Sequence, residues 1–205
     1  GALGIRVGES YGGAGMGSLA VAVAVDEVAK ADGSLALTVA SHNGLGTSHI
    51  RVFGNDAQKQ KYLPRLATGE ALGAWGLTEP GSGSDAAGMK TTAVRKGAGW
   101  VLNGSKMFIT QGTVGHVFVI LAVTSPEKKH KGITAFILDK GQPGFSARAI
   151  HGKLGMRSSD TAELHLENVE VSDSQRLGEV DMGFINTLAI LDGGRITIGA
   201  LSVGL

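Results

Sequence analysis

The stretch Trp100-Val101-Leu102-Asn103-Gly104-Ser105-Lys106-Met107-Phe108-Ile109-Thr110 holds two short β-favouring runs on either side of an Asn-Gly pair. Asn and Gly both tolerate positive φ, so the pattern predicts a tight hairpin turn at Asn103-Gly104. Similar runs occur on both sides of it: Thr91 to Lys96, Val117 to Val123, Ile133 to Leu138, Ala162 to Leu166 and Val169 to Val171. Short strands punctuated at close intervals by turn residues predict an all-β sandwich or barrel for this part of the chain.

The flanks have a different period. Ser18 to Lys30 is rich in Ala and Val, carries Asp26, Glu27 and Lys30 on its later turns, and reads as a helix capped by Ser18. Ser34 to Ser41 and Thr47 to Phe53 read as helices separated by a break at Gly44 and Gly46. Asp56 is a candidate cap for a further helix over Ala57 to Ala67, which Pro64 is expected to bend or end because it lacks an amide donor. After Gly183, apolar Phe184, Leu188 and Leu191 fall at helical spacing. The expectation is an α+β multidomain chain: a partial, mainly helical N-terminal domain over 1–73, a central β domain over 74–183, and the first helix of a C-terminal helical bundle over 184–205.

Composition limits the function classes. With 205 residues, 42% apolar and 18% charged, the chain can bury a substantial core. Nineteen basic residues against 18 acidic ones give a net charge of +1, which supplies no field for nucleic acid. There is no cysteine, so disulfides, thiolate nucleophiles and Cys-ligated metals are excluded. The run Leu19 to Val25 is only seven residues long, far from the ~20 that a membrane helix needs, and no membrane span is expected. Glycine supplies 33 residues, more than twice the usual share of about 7%. With four prolines and no triplet period, these glycines are expected at turns and where backbone must approach something closely.

Leu77-Thr78-Glu79-Pro80-Gly81-Ser82-Gly83-Ser84-Asp85 is a turn that directly follows a strand. Glycines let backbone amides approach an anion and hydroxyls add donors, so the segment could cradle a phosphate; it reads equally as a plain polar loop. No Gly-Lys-Ser/Thr follows it, which excludes a Walker loop. Phe108-Ile109-Thr110 offers an aromatic face beside a hydroxyl, as a planar heterocycle requires, although the pattern alone reads first as a core strand. Trp75 and Trp100 read as core. The six histidines show no metal-ligand spacing. Asp192 and Arg195, three apart on one helix face, read as a surface ion pair.

Seven segments together resemble the acyl-CoA dehydrogenase family, most closely its short-chain, butyryl-CoA type. They are Tyr11 to Gly15, Phe53 to Pro64, Leu77 to Asp85, Leu102 to Lys106, Phe108 to Thr110, Lys153 to Ser159 and Leu191 to Arg195, in the family's order and spacing across essentially the whole chain. The resemblance implies a flavoenzyme that oxidises an acyl-CoA thioester at its α,β bond and passes electrons to electron-transfer flavoprotein, as a homo-oligomer, tetramer or dimer. It implies FAD bound by Trp75, Leu77, Thr78, Gly83, Ser84, Phe108, Ile109 and Thr110, and acyl-CoA approached by Ser84, Asp192 and Arg195. Phe108 departs from the family, which more often has Trp there. Same-fold alternatives are an acyl-CoA oxidase or a flavin monooxygenase; from another class, a non-catalytic β-sandwich binding module.

The resemblance supplies no catalytic base within the chain. Most members carry a glutamate in a Tyr-Glu-Gly motif of the C-terminal bundle, which is absent here. A minority carry it on the helix of Asp192, where this sequence has Gly194. The base is therefore expected beyond Leu205, and the 205 residues are expected to be a piece of a longer protein that does not turn over substrate alone. The expected location is the cytoplasm of a bacterium or the mitochondrial matrix of a eukaryote.

Overall fold

The computed structural model describes all residues, Gly1–Leu205. Four helices come first: α1 (Ser18–Ala29), α2 (Gly33–Gly44), α3 (Gly46–Phe53) and α4 (Asp56–Thr68). Eight strands follow: β1 (Gly73–Gly76), β2 (Thr92–Lys96), β3 (Gly99–Thr110), β4 (Val117–Val123), β5 (Ile133–Asp139), β6 (Phe145–Ala149), β7 (Thr161–Ser172) and β8 (Arg176–Leu177). The chain closes on α5 (Gly183–Gly204).

The strands lie in the order β6-β7-β3-β2-β4-β5-β8, with β1 added beside β4. Most pairings are antiparallel, but β1 runs parallel to β4, and β2 meets β4 in parallel through Thr92 and Val123 alone. That single link lets the sheet fold over on itself. Trp100, Leu102, Leu164, Leu166 and Val171 from one half then face Phe118, Ile120, Phe136 and Leu138 from the other. Trp100 meets Phe136 edge-on at 5.6 Å. The alternate residues of the central strands, Val117, Val119, Leu121, Ile133, Ala135 and Ile137, face outward against Ile50, Tyr62, Leu63, Leu66 and Ile190 of the helices. Strands buried on both faces read as unbroken apolar runs, which is how β4 and β5 read. At roughly 1.5–3 kcal/mol for each large side chain removed from water, this double burial fixes the helices to the sheet.

Several expectations need correction. Asn103-Gly104 is not a turn: β3 runs straight through it, and the β2–β3 turn is Gly97-Ala98, with Gly97 at φ +56°. Gly104, at φ +147°, lies where β3 crosses Thr91, and a Cβ there would stand 2.7 Å from the Thr91 Cα. Asn103 Oδ1 accepts from the Asn168 backbone N–H at 2.8 Å beside a bulge in the β3–β7 pairing. The Asn-Gly pair thus serves a close crossing and a bulge. The same bulge joins Ala162–Leu166 and Val169–Val171 into one strand, with Asn168 at φ +51°. β6 and β8 were not among the expected strands: β8 is only two residues long, and β6, Phe145-Ser146-Ala147-Arg148-Ala149, has none of the β-branched residues that mark β2 to β5 and β7.

The helix ends also differ. Gly17 precedes α1 without a side-chain cap, and Ser18 is its first residue. Asn55 rather than Asp56 caps α4, in a reciprocal box with Gln58. α4 continues through Pro64 to Gly69, at φ +84°, because Leu63, Leu66 and Ala67 are buried on either side of the missing donor. In α5 the buried side chains are those of Asn186, Thr187, Ile190, Thr197 and Leu201, whereas Leu188 is exposed. α5 has a mean hydropathy of 1.2 over 18 residues, long and apolar enough by composition to cross a membrane. Here it packs against α1, α2 and α3 and carries Asp192 and Arg195 at its middle.

Candidate functional site

Beyond Gly76 the chain leaves the sheet into the Leu77–Asp85 loop. Glu79 and Ser82 exchange backbone hydrogen bonds of 2.9 and 3.1 Å around Pro80-Gly81, and Ser82 Oγ donates to the Asp85 carbonyl at 2.6 Å. Beneath this turn lies a buried ion pair that sequence reasoning missed. Lys106 Nζ reaches Glu79 Oε1 at 2.8 Å and the Leu77 carbonyl at 3.2 Å. The backbone N–H groups of Lys90 and Thr91 complete the carboxylate's partners at 2.6 and 3.0 Å. Burial raises the Glu79 pKa, but Lys106 and these donors outweigh it, and the carboxyl sits below its ordinary value. Burial draws Lys106 down to about 8 against the opposing effect of Glu79. Lys106 occupies an inward position of β3, in step with Trp100 and Leu102; a charge at such a position was the available signal.

β3 ends irregularly. Between Lys106 and Ile109 it advances three residues while β7 advances two, from Leu164 to Ala162. The extra residue turns Phe108 out of the sheet at φ +59°, leaving it 64% exposed. A non-glycine residue in this region is strained by about 1–2 kcal/mol, and such strain concentrates at functional sites. Phe108 is therefore not a core residue, whereas Ile109 beside it is buried. Trp75 is mostly buried but shows one edge to the same space. Trp100 lies in the core, its indole donating to Asp173 at 3.0 Å.

Trp75, Leu77, Thr78, Gly83, Ser84, Phe108, Ile109 and Thr110 all line one cleft of about 340 Å³, closed by Ala86, by Ser41 and Leu45 from the α2 end, and by Leu191 from α5. Ser82 and Glu79 carry the loop's side-chain bonding, and the Thr78, Ser84 and Thr110 hydroxyls, all on the cleft wall, make no hydrogen bond within the protein. A Cβ built on Gly83 meets nothing within 4 Å, so the glycine borders open cleft space rather than protein. A second cavity of about 340 Å³ adjoins it. Leu37, Ala40, Gly194, Arg195, Thr197 and Ile198 line it, and it shares Ser41, Leu45, Thr110 and Leu191 with the first. Ser41 and Leu45 had no motif to mark them, and Leu191, although inside the Leu191–Arg195 segment, had no site role assigned; helix packing brings all three here.

Asp192 lies on neither wall. It and Arg195 form a 2.6 Å pair with side chains 73% and 74% exposed, and only Arg195 borders the second cavity. Neither cavity has an aspartate or glutamate on its wall.

Two buried histidines support the site from behind. Gly73 N–H donates to His42 Nδ1 at 3.1 Å, and His42 Nε2 lies 3.0 Å from the Leu66 carbonyl, so the proton resides on Nε2. The Trp75 indole donates to His49 Nδ1 at 3.1 Å. Burial pulls both imidazoles down to about 4, so they are neutral at physiological pH.

Residues 1–70 match the family model for the acyl-CoA dehydrogenase N-terminal domain, and residues 74–169 match that for the middle domain. The chain belongs to the acyl-CoA dehydrogenase family. The N-terminal match holds α1 to α4, the middle match holds β1 to β6 and most of β7, and α5 lies beyond both. A short-chain-specific acyl-CoA dehydrogenase of Clostridium acetobutylicum is 44% identical over all of this chain and 54% of its own. The butyryl-CoA dehydrogenase structure from Megasphaera elsdenii superposes with a TM-score of 0.96 at 41% identity, covering 100% of this chain and 54% of that one. A glutaryl-CoA dehydrogenase from Mycobacterium smegmatis, in complex with FADH2, gives 0.92 at 38% identity, covering 100% and 51%. The chain spans about half the length of the curated relatives it matches.

Proposed function

We propose that this chain supplies the cofactor-holding and part of the acyl-holding surface of a flavin-dependent acyl-CoA dehydrogenase that acts on short- to medium-chain thioesters. The observation that carries this reading is the joined pair of cavities. One has an aromatic face, three free hydroxyls and a glycine-bordered loop; the other is mainly apolar, and the two share Thr110 and Leu191.

The cleft residues fit FAD. Phe108 and Trp75 offer apolar surface to a planar ring, and Thr78 and Thr110 offer donors at its edge. Ser84, beside Gly83, is placed for a phosphate oxygen. Bound FAD supplies the hydride acceptor for oxidation of the α,β bond. The protein's part is to seat the acyl chain between α2 and α5, where Leu37, Ala40, Leu45 and Ile198 exclude water from it. Because neither wall carries a carboxylate, the acceptor for the α proton belongs to the rest of the protein. Electron-transfer flavoprotein is the proposed electron acceptor and a homo-oligomer the proposed assembly, in bacterial cytoplasm or mitochondrial matrix.

The test is to purify the whole protein, measure its visible flavin absorbance, and titrate it anaerobically with butyryl-CoA. Bleaching of the flavin band is expected. A folded, colourless protein that does not take up FAD would overturn the proposal, and rapid peroxide formation in air would move it to the oxidase reading.

A further inference from the structure

We infer that His49 is a positioning residue that fixes the orientation of Trp75 in the cleft wall. It rests on the cleft being the flavin site. His49 sits in the middle of α3 and is fully buried. Its Nδ1 accepts the Trp75 indole N–H at 3.1 Å, its ring stands 6.3 Å from the indole at 49°, and Phe53 packs edge-on against it at 5.4 Å. An imidazole that accepts at Nδ1 carries its proton on Nε2, and in His49 that nitrogen is buried with no partner. A buried donor without a partner is costly, and a leucine or phenylalanine would occupy the same apolar surroundings without one. What the imidazole supplies and those residues do not is the acceptor. Trp75 pairs through β1 with Val119 of β4, so its backbone is fixed, and its ring is packed in the core at 8% exposure; the His49 bond then sets which edge of the indole turns away from the cleft. Without it the indole N–H would seek an acceptor toward the cleft, and the surface presented beside Leu77 and Thr78 would change.

The experiment uses the whole protein with His49→Leu, His49→Gln, Trp75→Phe and His49→Leu/Trp75→Phe. FAD dissociation is read by flavin fluorescence, and the indole N–H resonance, assigned by its loss in Trp75→Phe, is read by ¹⁵N NMR of the apoprotein. Losing one hydrogen bond corresponds to roughly a fivefold weaker FAD affinity for His49→Leu, with the indole resonance displaced. His49→Gln, which keeps an acceptor oxygen, should restore both. In the Trp75→Phe background, His49→Leu should weaken FAD no further. If it weakens FAD equally in both backgrounds, or the resonance does not move, His49 only fills space and the inference fails. Should His49→Leu not fold, His49→Phe, which also lacks the acceptor, takes its place in both backgrounds and decides in the same way. Wild-type protein that shows the resonance behaviour but takes up no FAD would overturn the flavin reading and leave the positioning role standing.

Discussion

Lys106 and Glu79 meet 2.8 Å apart, their side chains 0% and 6% exposed, directly beneath the turn that forms one wall of the cleft. The two residues are 27 apart in sequence, so the pair links β3 to the loop after β1 and sets the loop's height above the sheet. The Lys106 stem runs past Gly76, where a Cβ would stand 3.2 Å from Lys106 Cγ and 2.7 Å from Ile120 Cδ1. Gly76 is thus the opening through which the lysine reaches its partner.

Breaking this pair from one side should be worse than removing it. Lys106→Met leaves a buried carboxylate with only two backbone donors, a change that typically costs about 3–5 kcal/mol. Lys106→Met/Glu79→Gln removes both charges and should recover much of the loss. Urea denaturation of the three proteins measures this, and a double variant no more stable than Lys106→Met would show that the pair is not coupled. Since Glu79 already accepts three hydrogen bonds, it is held as an anion for structure and is not the α-proton acceptor.

Acid should loosen the protein through His42 and His49. Both imidazoles titrate at about 4 when folded and near 6.5 when unfolded. Between those values the unfolded chain binds more protons than the folded one, so stability is full above pH 6.5 and falls as pH drops toward 4. Each shift amounts to on the order of 3 kcal/mol by pH 4. Protonating His42 Nδ1 also breaks its bond from Gly73 N–H. Unfolding free energies measured at half-unit steps from pH 7 to pH 4 should show the decline, and His42→Gln or His49→Gln should each flatten it. An unchanged slope in both variants would assign the acid sensitivity elsewhere.

The free hydroxyls of the cleft should matter to the cofactor and not to the fold. Thr110→Val keeps shape and removes a hydroxyl that has no partner within the protein, so its unfolding midpoint should stay within ~0.5 kcal/mol of the parent. FAD affinity should fall roughly fivefold, the worth of one hydrogen bond. Ser84→Ala should behave likewise. Loss of stability with unchanged FAD affinity would reverse the assignment of these side chains.

The order of helices, strands and final helix was legible because hydrophobic period and turn residues are local. Val117 to Val123 and Ile133 to Leu138 each announced a strand, and the structure buries both of them on two faces. What escaped depends on non-local geometry. Asn103-Gly104 carries the chemistry of a turn, yet a strand crossing at Thr91 uses it instead; nothing local separates the two uses. The positive φ of Phe108 follows from a bulge against β7, a partner some 50 residues away in sequence. The eight cleft residues were found by resemblance, while Ser41, Leu45 and Leu191 reach the cleft only because α2 and α5 pack beside each other. Glu79 and Lys106 were both in marked segments, but their pairing requires β3 and the loop to be stacked.

Gly194 offers a final test of how the cavities divide the chemistry. It borders the second cavity, and a Cβ there would meet Leu45 Cδ2 at 3.5 Å, an ordinary contact, so a side chain can enter from α5 without displacing backbone. Two neighbouring walls, from Leu45 and Leu191, are apolar; a carboxylate placed among them would have its pKa raised toward the range useful for proton abstraction. In the whole protein, replacing its own catalytic carboxylate with the amide should abolish flavin bleaching by butyryl-CoA. Adding Gly194→Glu to that inactive protein should restore bleaching to at least 1% of the parent rate, since a positioned base contributes about 10²–10⁴-fold. The restored rate should rise with pH as the new carboxyl ionises. If Gly194→Glu binds butyryl-CoA normally yet restores no bleaching, the α carbon does not lie against this part of α5, and the acyl chain must enter the cavity by another route.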